Sequence, residues 1–317
     1  MKALGELELF VRAADGGSFS AAARSLELSP AAASAAIKRL EAELQTRLFV
    51  RSTRSLRLTP DGERFLAHCR VALQALSEGE QALRGDAQAL RGSLQLSLPS
   101  DLGRGLVLGW LDEFLLQHPA LRLRVQVTDR LADVYRQPVD VALRYGAPAD
   151  SALVALPLVP QNRRVAVASP GYLAQHGRPA HPQELRDHNC LRFLLSDDVH
   201  ARWRFHGAAG DTVVAVDGDR TSDDGDAVRR WAIAGRGIAY KSWLDVGGDV
   251  AAGRLDVLLP DWRGEAAPLH LVCADRRLLS PAVRALRDLL AARFAALPLP
   301  PAQPSVAQSR TARARSP

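Results

Sequence analysis

The sequence lacks any long apolar segment. No run of about 18 uncharged apolar residues occurs along the chain, so a membrane-spanning helix is not expected. Glu6 and Glu8 stand near the start of the chain, where a secretory signal peptide would be apolar. We therefore expect a cytoplasmic protein that does not bind a membrane.

The sequence has little cysteine, and its cysteines show no ligand spacing. Cys69, Cys190 and Cys273 lie far apart, without the C-x-x-C or Cys/His spacing of a zinc site and without the density of a disulfide framework. The histidines are likewise scattered along the chain. We expect three reduced, packed thiols and no metal site.

Patterns that indicate catalysis or cofactor binding are also missing. The sequence shows no nucleophile with its base, no phosphate-binding glycine loop and no paired carboxylates. Gly235-Arg236-Gly237 does not complete a dinucleotide fingerprint, and the acidic segment 223–226 lacks the other ligands of a calcium loop and has the composition of a helix N-terminus. We therefore expect no cofactor and no enzymatic activity.

The positive charge is local. The formal net charge is +6, but residues 92–297 are nearly balanced, with 25 basic and 24 acidic side chains. Residues 38–57 instead hold a basic stripe with only two acidic residues, and its members are Lys38, Arg39, Arg47, Arg51, Arg54 and Arg57. Such a stripe suits phosphate binding, although a solvated face is the commoner origin of a charge run.

The first 44 residues carry the pattern of a helix-turn-helix. Apolar residues recur at spacings of three and four over 4–14, a short second helix is predicted over 21–26, and Ser29-Pro30 is typical of the start of a third. In this arrangement the third helix enters the major groove of DNA by its N-terminal residues. The candidate DNA contacts on it are Ser29, Pro30, Ala31, Ser34 and Lys38.

A basic hairpin is predicted after this helix. Apolar residues at 48–50 and 56–58 flank a short segment that contains Arg51 and Arg54. A basic hairpin beside a recognition helix is a wing, which suits DNA phosphates and the minor groove. Arg51 and Arg54 are therefore further candidate DNA contacts.

A fourth helix is predicted to follow Thr59-Pro60-Asp61. Apolar residues repeat every seven positions along it, which is typical of the seam of a coiled coil. The candidate dimerisation residues are Leu66, Cys69, Leu73, Leu76, Leu83 and Leu90. The alternative is a helix that packs only on its own domain.

The segments SFSAAARSLELSPAAASAAIKRLEAEL and RLFVRSTRSLRLTPDGERF resemble the head of the LysR-type transcriptional regulators. The segments TDR, VDVALRYG, ASPGYLAQHG, AGRGIAYKSW and AAGRLDVLLPDW resemble later landmarks of the same family. The resemblance implies an α/β protein with an N-terminal all-α winged helix-turn-helix domain and a C-terminal two-lobed effector domain of the periplasmic-binding-protein type 2. The expected boundaries are 1–59 for the DNA-binding domain, 60–91 for the linker helix, 92–161 with 267–297 for lobe 1, 162–266 for lobe 2, and 298–317 for a tail.

The third helix departs from this family pattern. Pro30, Ala35 and Ala36 stand where many members have polar residues, so few base contacts by long side chains are expected from this helix. Ser34 matches the family and is carried over as a DNA contact, as is Arg51 of the wing. Gln45 stands where a glycine is usual, which predicts a different backbone turn into the wing.

The remainder of the chain alternates apolar strands with helices, beginning with a strand over 93–98. Ligands bind such sheets at the C-terminal ends of strands, where Ser100, Thr128 and Arg144 stand, with Ser222 near a later helix start. These groups suit a small anion such as a carboxylate. The alternatives are helix capping for the serines and threonine and a structural ion pair for Arg144.

Three further features leave alternatives open. Lys241, the fifth candidate effector contact, projects either into the cleft or into solvent, and Trp203 either packs in the core or walls the pocket. Residues 298–317 are rich in proline, serine and arginine and are predicted to be a disordered, solvated tail, with DNA contact by its three arginines as the alternative.

A ligand-responsive transcription regulator is the function that these patterns favour. Its expected partners are a two-fold-related promoter DNA site, a small-molecule effector, a second copy of the chain in a dimer or tetramer, and RNA polymerase. An enzyme or solute-binding protein would carry its function in the α/β part alone, and a nucleoid protein would bind DNA without sequence choice. A nucleoid protein would not need the large α/β domain, so regulation is preferred.

Overall fold

The structure is a computed structural model that describes residues 4–51, 56–83, 90–129, 139–146, 153–195, 198–273, 280–298 and 300. These residues form two units, of which the first lies within 1–90 and 275–282 and the second within 91–274 and 283–317. In the part of the chain that the structure describes, no helix is long and apolar enough to cross a membrane.

The first unit is a helical head with a two-stranded wing. Its elements are α1 (Leu4–Gly16), α2 (Phe19–Ser25), α3 (Pro30–Glu43), β1 (Phe49–Arg51), β2 (Leu56–Leu58) and α4 (Pro60–Leu83). Strands β1 and β2 pair antiparallel. The predicted helix-turn-helix and the predicted hairpin are confirmed.

Side-chain caps explain where the helices of the head begin. The Ser29 hydroxyl oxygen accepts a hydrogen bond from the Ala32 amide at 3.1 Å, and that of Thr59 accepts one from the Gly62 amide at 2.9 Å. A proline follows each cap at the first helical position, where the missing N–H has no helical partner to lose. These short-range signals are why the helix starts were readable from the sequence.

The core of the head joins α1, α4 and the wing. The Phe10 ring lies 5.4 Å from that of Phe49 and 5.5 Å from that of Phe65. A Cβ atom at Gly62 would lie 2.1 Å from the carbonyl oxygen of Leu48, so only glycine allows α4 to approach the wing this closely.

The turn into the wing differs from its prediction. The sequence predicted an altered turn at Gln45, because a glycine is usual there in the family that the chain resembles. Gln45 instead adopts φ +51°, the left-handed conformation that glycine favours. The predicted change of backbone is therefore not found.

The second unit is α/β. Its strands are β3 (Gly92–Leu98), β4 (Leu121–Val127), β5 (Val141–Tyr145), β6 (Val154–Val159), β7 (Arg164–Ala168), β8 (Cys190–Leu195), β9 (Asp198–Val199), β10 (Arg202–Gly207), β11 (Gly210–Ala215), β12 (Thr221–Ser222), β13 (Ile238–Ser242), β14 (Asp256–Val257), β15 (Arg263–Gly264) and β16 (Leu269–Cys273). Its helices are α5 (Ser100–Leu102), a π-helical segment (Gly103–Val107), α6 (Leu108–Gln117), α7 (Pro170–His176), a 3-10 helix (Pro182–Asp187), α8 (Gly225–Ile233), α9 (Trp243–Ala251) and α10 (Pro281–Ala295).

Two mixed sheets with the same internal pattern organise this unit. The order is β4-β3-β5-β16-β6 in the first sheet and β12-β8-β13-β7-β14 in the second, where β9 also pairs with β8. In each sheet the first three strands are parallel and the last two pairings are antiparallel. A third sheet, of order β11-β10-β15, packs against the second. We call the first sheet with α5, α6 and α10 lobe 1, and the second and third sheets with α7, α8 and α9 lobe 2.

Trp203 packs in the core of lobe 2. Its side chain is 1% exposed, it stacks on Tyr240 at 5.2 Å, and its indole N–H donates to the His200 carbonyl oxygen at 3.0 Å. The core-packing alternative is confirmed.

The three cysteines are free and buried, which confirms the expectation of reduced, packed thiols. Burial raises the pKa of Cys190 to about 12, so this thiol is not a reactive thiolate at neutral pH.

Candidate nucleic-acid interface and ligand cleft

Helix α3 presents a face of small residues. Pro30, Ala31 and Ala35 are exposed and Ser34 is half-buried, whereas Leu40 on the opposite side is fully buried. Small side chains allow a helix to approach DNA bases and backbone closely. The exposed face thus has the shape of a major-groove contact surface with few long donors.

Part of the predicted basic stripe is compensated. Lys38, Arg47 and Arg57 are exposed. Arg39, however, pairs with Glu6 of α1 at 2.8 Å, so its charge is less available to a phosphate than the sequence suggested.

The wing is described only at its base. The Arg51 backbone pairs with Leu56 across the ladder, but the Arg51 side chain and the segment 52–55, which includes Arg54, lie outside the described residues. Arg51 and Arg54 therefore remain predictions as DNA contacts.

Glu41 holds the wing against α3, a role that the sequence did not reveal. One of its carboxylate oxygens accepts hydrogen bonds from the Leu48 and Phe49 amides, at 2.9 and 3.1 Å. Phe49 begins the first strand of the wing, and Leu48 directly precedes it. Glu41 is therefore a positioning residue for the DNA-binding surface, and nothing in its spacing alone could have identified it.

The predicted dimerisation seam on α4 is shorter than expected. Leu66 and Cys69 are buried in the core of the head, so these side chains face their own domain and a partner cannot reach them. Leu73 is half-buried and Leu76 is 49% exposed, while the side chain of Leu83 lies outside the described residues. Leu90 is not helical and lies beyond the end of α4, so its predicted place on this helix is wrong. Dimerisation through α4 remains a prediction, and Leu76 is its most accessible residue.

A cavity of about 130 Å³ lies between the lobes of the second unit. Residues at or just after the C-terminal ends of parallel strands in both sheets line it, which is where α/β sheets place ligand sites. Its lining residues are Pro99, Asp101, Asp129, Arg144, Tyr145, Arg164, Phe193, Leu195, Gly225, Lys241 and Asp245.

Lys241 forms a buried ion-pair cluster in the wall of this cavity. Its ammonium nitrogen lies 2.8 Å from a carboxylate oxygen of Asp101 in lobe 1 and 3.7 Å from one of Asp245 in lobe 2. The Tyr145 hydroxyl of lobe 1 donates to Asp245 at 2.5 Å. The cluster therefore ties the two lobes together, and the expectation of a solvent-exposed Lys241 is wrong.

The pKa values of this cluster reflect two carboxylates that share one ammonium. Burial raises the pKa of Asp245 to about 7, and the neighbouring charge of Asp101 adds to this effect. Burial alone would lower the pKa of Lys241, but Asp101 and Asp245 raise it above its ordinary value. Lys241 is therefore charged at neutral pH, while burial favours the protonated form of Asp245.

Ser100 lies at a second contact between the lobes. Its hydroxyl donates to the carboxylate of Asp129 and accepts a hydrogen bond from the Gly225 amide at 2.8 Å. The Gly225 backbone approaches closely: a Cβ atom there would lie 2.9 Å from the Lys241 ammonium nitrogen. Ser100 thus lies in the cleft, as predicted, but its hydrogen bonds are made within the protein.

The other candidate effector contacts lie in different places. Arg144 is buried in the cavity wall, where its guanidinium donates to the Ser97 hydroxyl at 2.6 Å. Thr128 follows the end of β4, next to Asp129. The Ser222 hydroxyl accepts from the Asp224 amide at 3.0 Å, but Asp224 and not Ser222 is the N-cap of α8. The structure therefore places Arg144 and Lys241 in the cavity wall, and Ser100 next to it through its hydrogen bonds with the lining residues Asp129 and Gly225.

Sequence reasoning missed the three acidic residues of the cleft, Asp101, Asp129 and Asp245. Each stands two or three residues after the end of a strand, which was the available signal. Acids there also suit an ordinary helix first turn, so the signal was ambiguous. Among the described residues, no group of three His, Cys, Asp or Glu side chains could hold a metal ion.

Family models match both units. Residues 4–63 match the model described as "Bacterial regulatory helix-turn-helix protein, lysR family", and residues 87–295 match the "LysR substrate binding domain".

Relatives of nearly the same length carry regulatory names. The chain is 32% identical over 292 residues to the HTH-type transcriptional regulator DmlR of Escherichia coli, covering 92% of this chain and 94% of that protein. It is 31% identical to a transcriptional repressor of Pseudomonas aeruginosa, covering 94% of each, and 28% identical to the transcriptional activator AaeR of Escherichia coli, covering 87% and 89%.

Solved structures agree with these matches. The structure of CrgA, a LysR-type transcriptional regulator from Neisseria meningitidis, is 29% identical, with a TM-score of 0.59 over 91% of this chain and 98% of that chain. A full-length OxyR variant from Pseudomonas aeruginosa has a TM-score of 0.68 at 17% identity, over 96% of this chain and 99% of that chain, and supports the fold alone.

Proposed function

Because the chain belongs to the LysR family of bacterial transcriptional regulators, we propose that it binds a two-fold-related promoter site as a dimer or tetramer and responds to a small molecule in its cleft. It is a transcriptional regulator with a helix-turn-helix DNA-binding domain and an effector-binding domain. The relatives are regulators, so we assign it no enzymatic role.

The exposed face of α3 supports DNA binding. A capped helix that projects Pro30, Ala31 and Ala35, with Lys38 exposed on the same helix, is followed directly by a hairpin that Glu41 fixes in place. Few long side chains are available to read bases from α3. DNA shape and the arginines of the wing therefore supply much of the proposed specificity.

The exposed part of α4 supports self-association. Leu76 is a large apolar side chain that is 49% exposed on a helix of 24 residues. A two-fold dimer through such a helix places two recognition helices on two half-sites, which is why a two-fold-related DNA site is proposed.

The cavity between the lobes carries the proposal of ligand response. Contacts from both lobes meet in its wall, such as the Asp101–Lys241 ion pair. A ligand that fills the cavity would therefore favour one arrangement of the lobes over another. Only such a difference in affinity between two states can change DNA binding.

Two further proposals follow from regulation. Promoter DNA lies in the bacterial cytoplasm, so the protein acts there. Its relatives include one protein named an activator and one named a repressor, and as an activator this chain would also contact RNA polymerase.

Footprinting on the promoter DNA next to the gene tests this function. We expect protection of two half-sites related by two-fold symmetry, and a change of that protection with one member of a panel of small carboxylates. Protection without sequence preference would favour a nucleoid protein. Absence of protection, together with turnover or tight solute binding by the chain, would favour an enzyme or a solute-binding protein.

A further inference from the structure

Two helix N-termini from different lobes converge beside the cavity. Ser100 begins α5, which continues through the π-helical segment into α6, and Gly225 begins the nine-residue helix α8. The first amides of a helix have no helical acceptor and carry a partial positive charge. Where two such ends meet, they form a binding position for a carboxylate.

The carboxylate of Asp129 fills this position. One of its oxygens accepts from the Ser100 amide at 2.9 Å, and the other accepts from the Gly225 amide at 3.0 Å and from the Ser100 hydroxyl. The donors come from both lobes, so a single side chain bridges the cleft. The carboxylate site that the sequence predicted is therefore already occupied.

The same position opens onto the cavity. Asp129 lines it, and so do Lys241 and Arg144, two cations that are more than nine-tenths buried. Lys241 is already paired with Asp101 and Asp245 in the same wall, so the attraction for an anion depends on Arg144 and on the Ser100 and Gly225 donors. The cavity thus offers an anionic ligand a route to the donors that Asp129 now holds.

We infer that Asp129 is a built-in occupant of the carboxylate position, and that an anionic effector binds there only by replacing it. A carboxylate that enters while Asp129 stays would lie next to a like charge. A neutral ligand that displaces Asp129 would leave the Ser100 and Gly225 amides without their acceptor. The inference names the class of effector for the proposed ligand response and rests on that proposed function.

Removal of the Asp129 carboxylate should create a site for a free one, and acetate is the probe. The five tryptophans, Trp110, Trp203, Trp231, Trp243 and Trp262, all lie in the second unit, so tryptophan fluorescence of the full chain reports the unfolding of that unit. With roughly 100 mM sodium acetate in place of sodium chloride, we expect the unfolding midpoint of Asp129→Ala to rise by about 3 °C. The wild type should rise no more than Asp261→Ala, a variant of an exposed turn aspartate.

Additional variants make the test decisive. The double variant Asp129→Ala with Ser100→Ala loses a donor and should lose most of the acetate effect. If Asp129→Ala does not fold, Asp129→Asn keeps the side-chain volume without the charge and should bind acetate more tightly than the wild type. Equal acetate effects in the wild type and either single variant would overturn the inference, as would a folded Asp129→Ala without an acetate-specific rise.

This test is independent of DNA binding. A chain that protects its promoter but shows no acetate effect in the variants keeps the proposed function and loses this inference. A chain that shows the acetate effect but protects no promoter keeps the carboxylate site and loses the proposed function.

Discussion

Single buried charges determine how the stability of the cleft depends on pH, and Asp245 is the clearest case. Its pKa is raised from an ordinary value of 3.8 to about 7 by burial. Folding therefore favours its protonated form, and the stability that this group contributes is lost as the pH rises through about 7. The second unit is thus expected to lose stability as the pH rises from about 4 to about 7.

Asp245→Asn should remove this pH dependence. Asparagine resembles the protonated acid at every pH, so the unfolding midpoint of the variant should exceed that of the wild type at pH 8, with a difference that shrinks towards pH 5. Tryptophan fluorescence measures the midpoint, and Asp261→Asn serves as the exposed control. A difference that does not change with pH would contradict the assignment.

In the DNA-binding head, Glu41 is the residue that holds the wing against α3. Glu41→Ala would leave the Leu48 and Phe49 amides without their acceptor, at a cost of about 1–3 kcal/mol in the free energy of unfolding of the head. Glu41→Gln keeps an acceptor oxygen and should cost less. Far-UV circular dichroism follows the helices of the head, and DNA affinity should fall in the same order. Equal losses in both variants would speak against a positioning role.

At the scale of elements, the proposed DNA contacts are divided between the recognition helix and the wing. Helix α3 exposes Ala31 and Ala35, whereas the sequence places Arg51 and Arg54 in the wing. Arginine contacts to phosphates and the minor groove supply both affinity and shape recognition.

Arg51→Ala should therefore weaken specific DNA binding more than Ala35→Ser does. If Arg51 contacts one phosphate, its loss should also reduce the salt dependence of binding by about one ion. Titrations of the promoter duplex at several salt concentrations measure both effects. A larger loss for Ala35→Ser would assign the recognition to α3.

The elements could be predicted from the sequence better than the site could. Helix α3 and strands β3 and β4 follow from local periodicity and from caps such as Ser29, which act within a few residues. The cleft depends on residues far apart in the chain: Asp129 meets Gly225 and Asp101 meets Lys241 only after both lobes have folded. Local patterns cannot show such contacts, so the acids of the cleft were missed.

At the scale of the whole molecule, the proposed dimer needs an apolar surface that remains exposed on the single chain. Leu76 of α4 is such a surface, because Leu66 and Cys69 are already covered by the head. An aspartate at the centre of an apolar seam would be desolvated on association.

Leu76→Asp should therefore shift the chain towards monomer in sedimentation velocity. Leu116→Asp is the matched control, since Leu116 of α6 is 83% exposed and lies outside the seam. An unchanged oligomeric state of Leu76→Asp, or the same shift in the control, would remove α4 as the dimerisation element.

Sequence-selective DNA binding is the central claim, and a comparative binding titration tests it most directly. The full chain is titrated against the promoter duplex and against a scrambled duplex of equal length and composition, at two salt concentrations. We predict a preference of roughly a thousandfold or more for the promoter, with both affinities falling as salt rises. Equal affinity for the two duplexes, or no binding to either, would contradict the account.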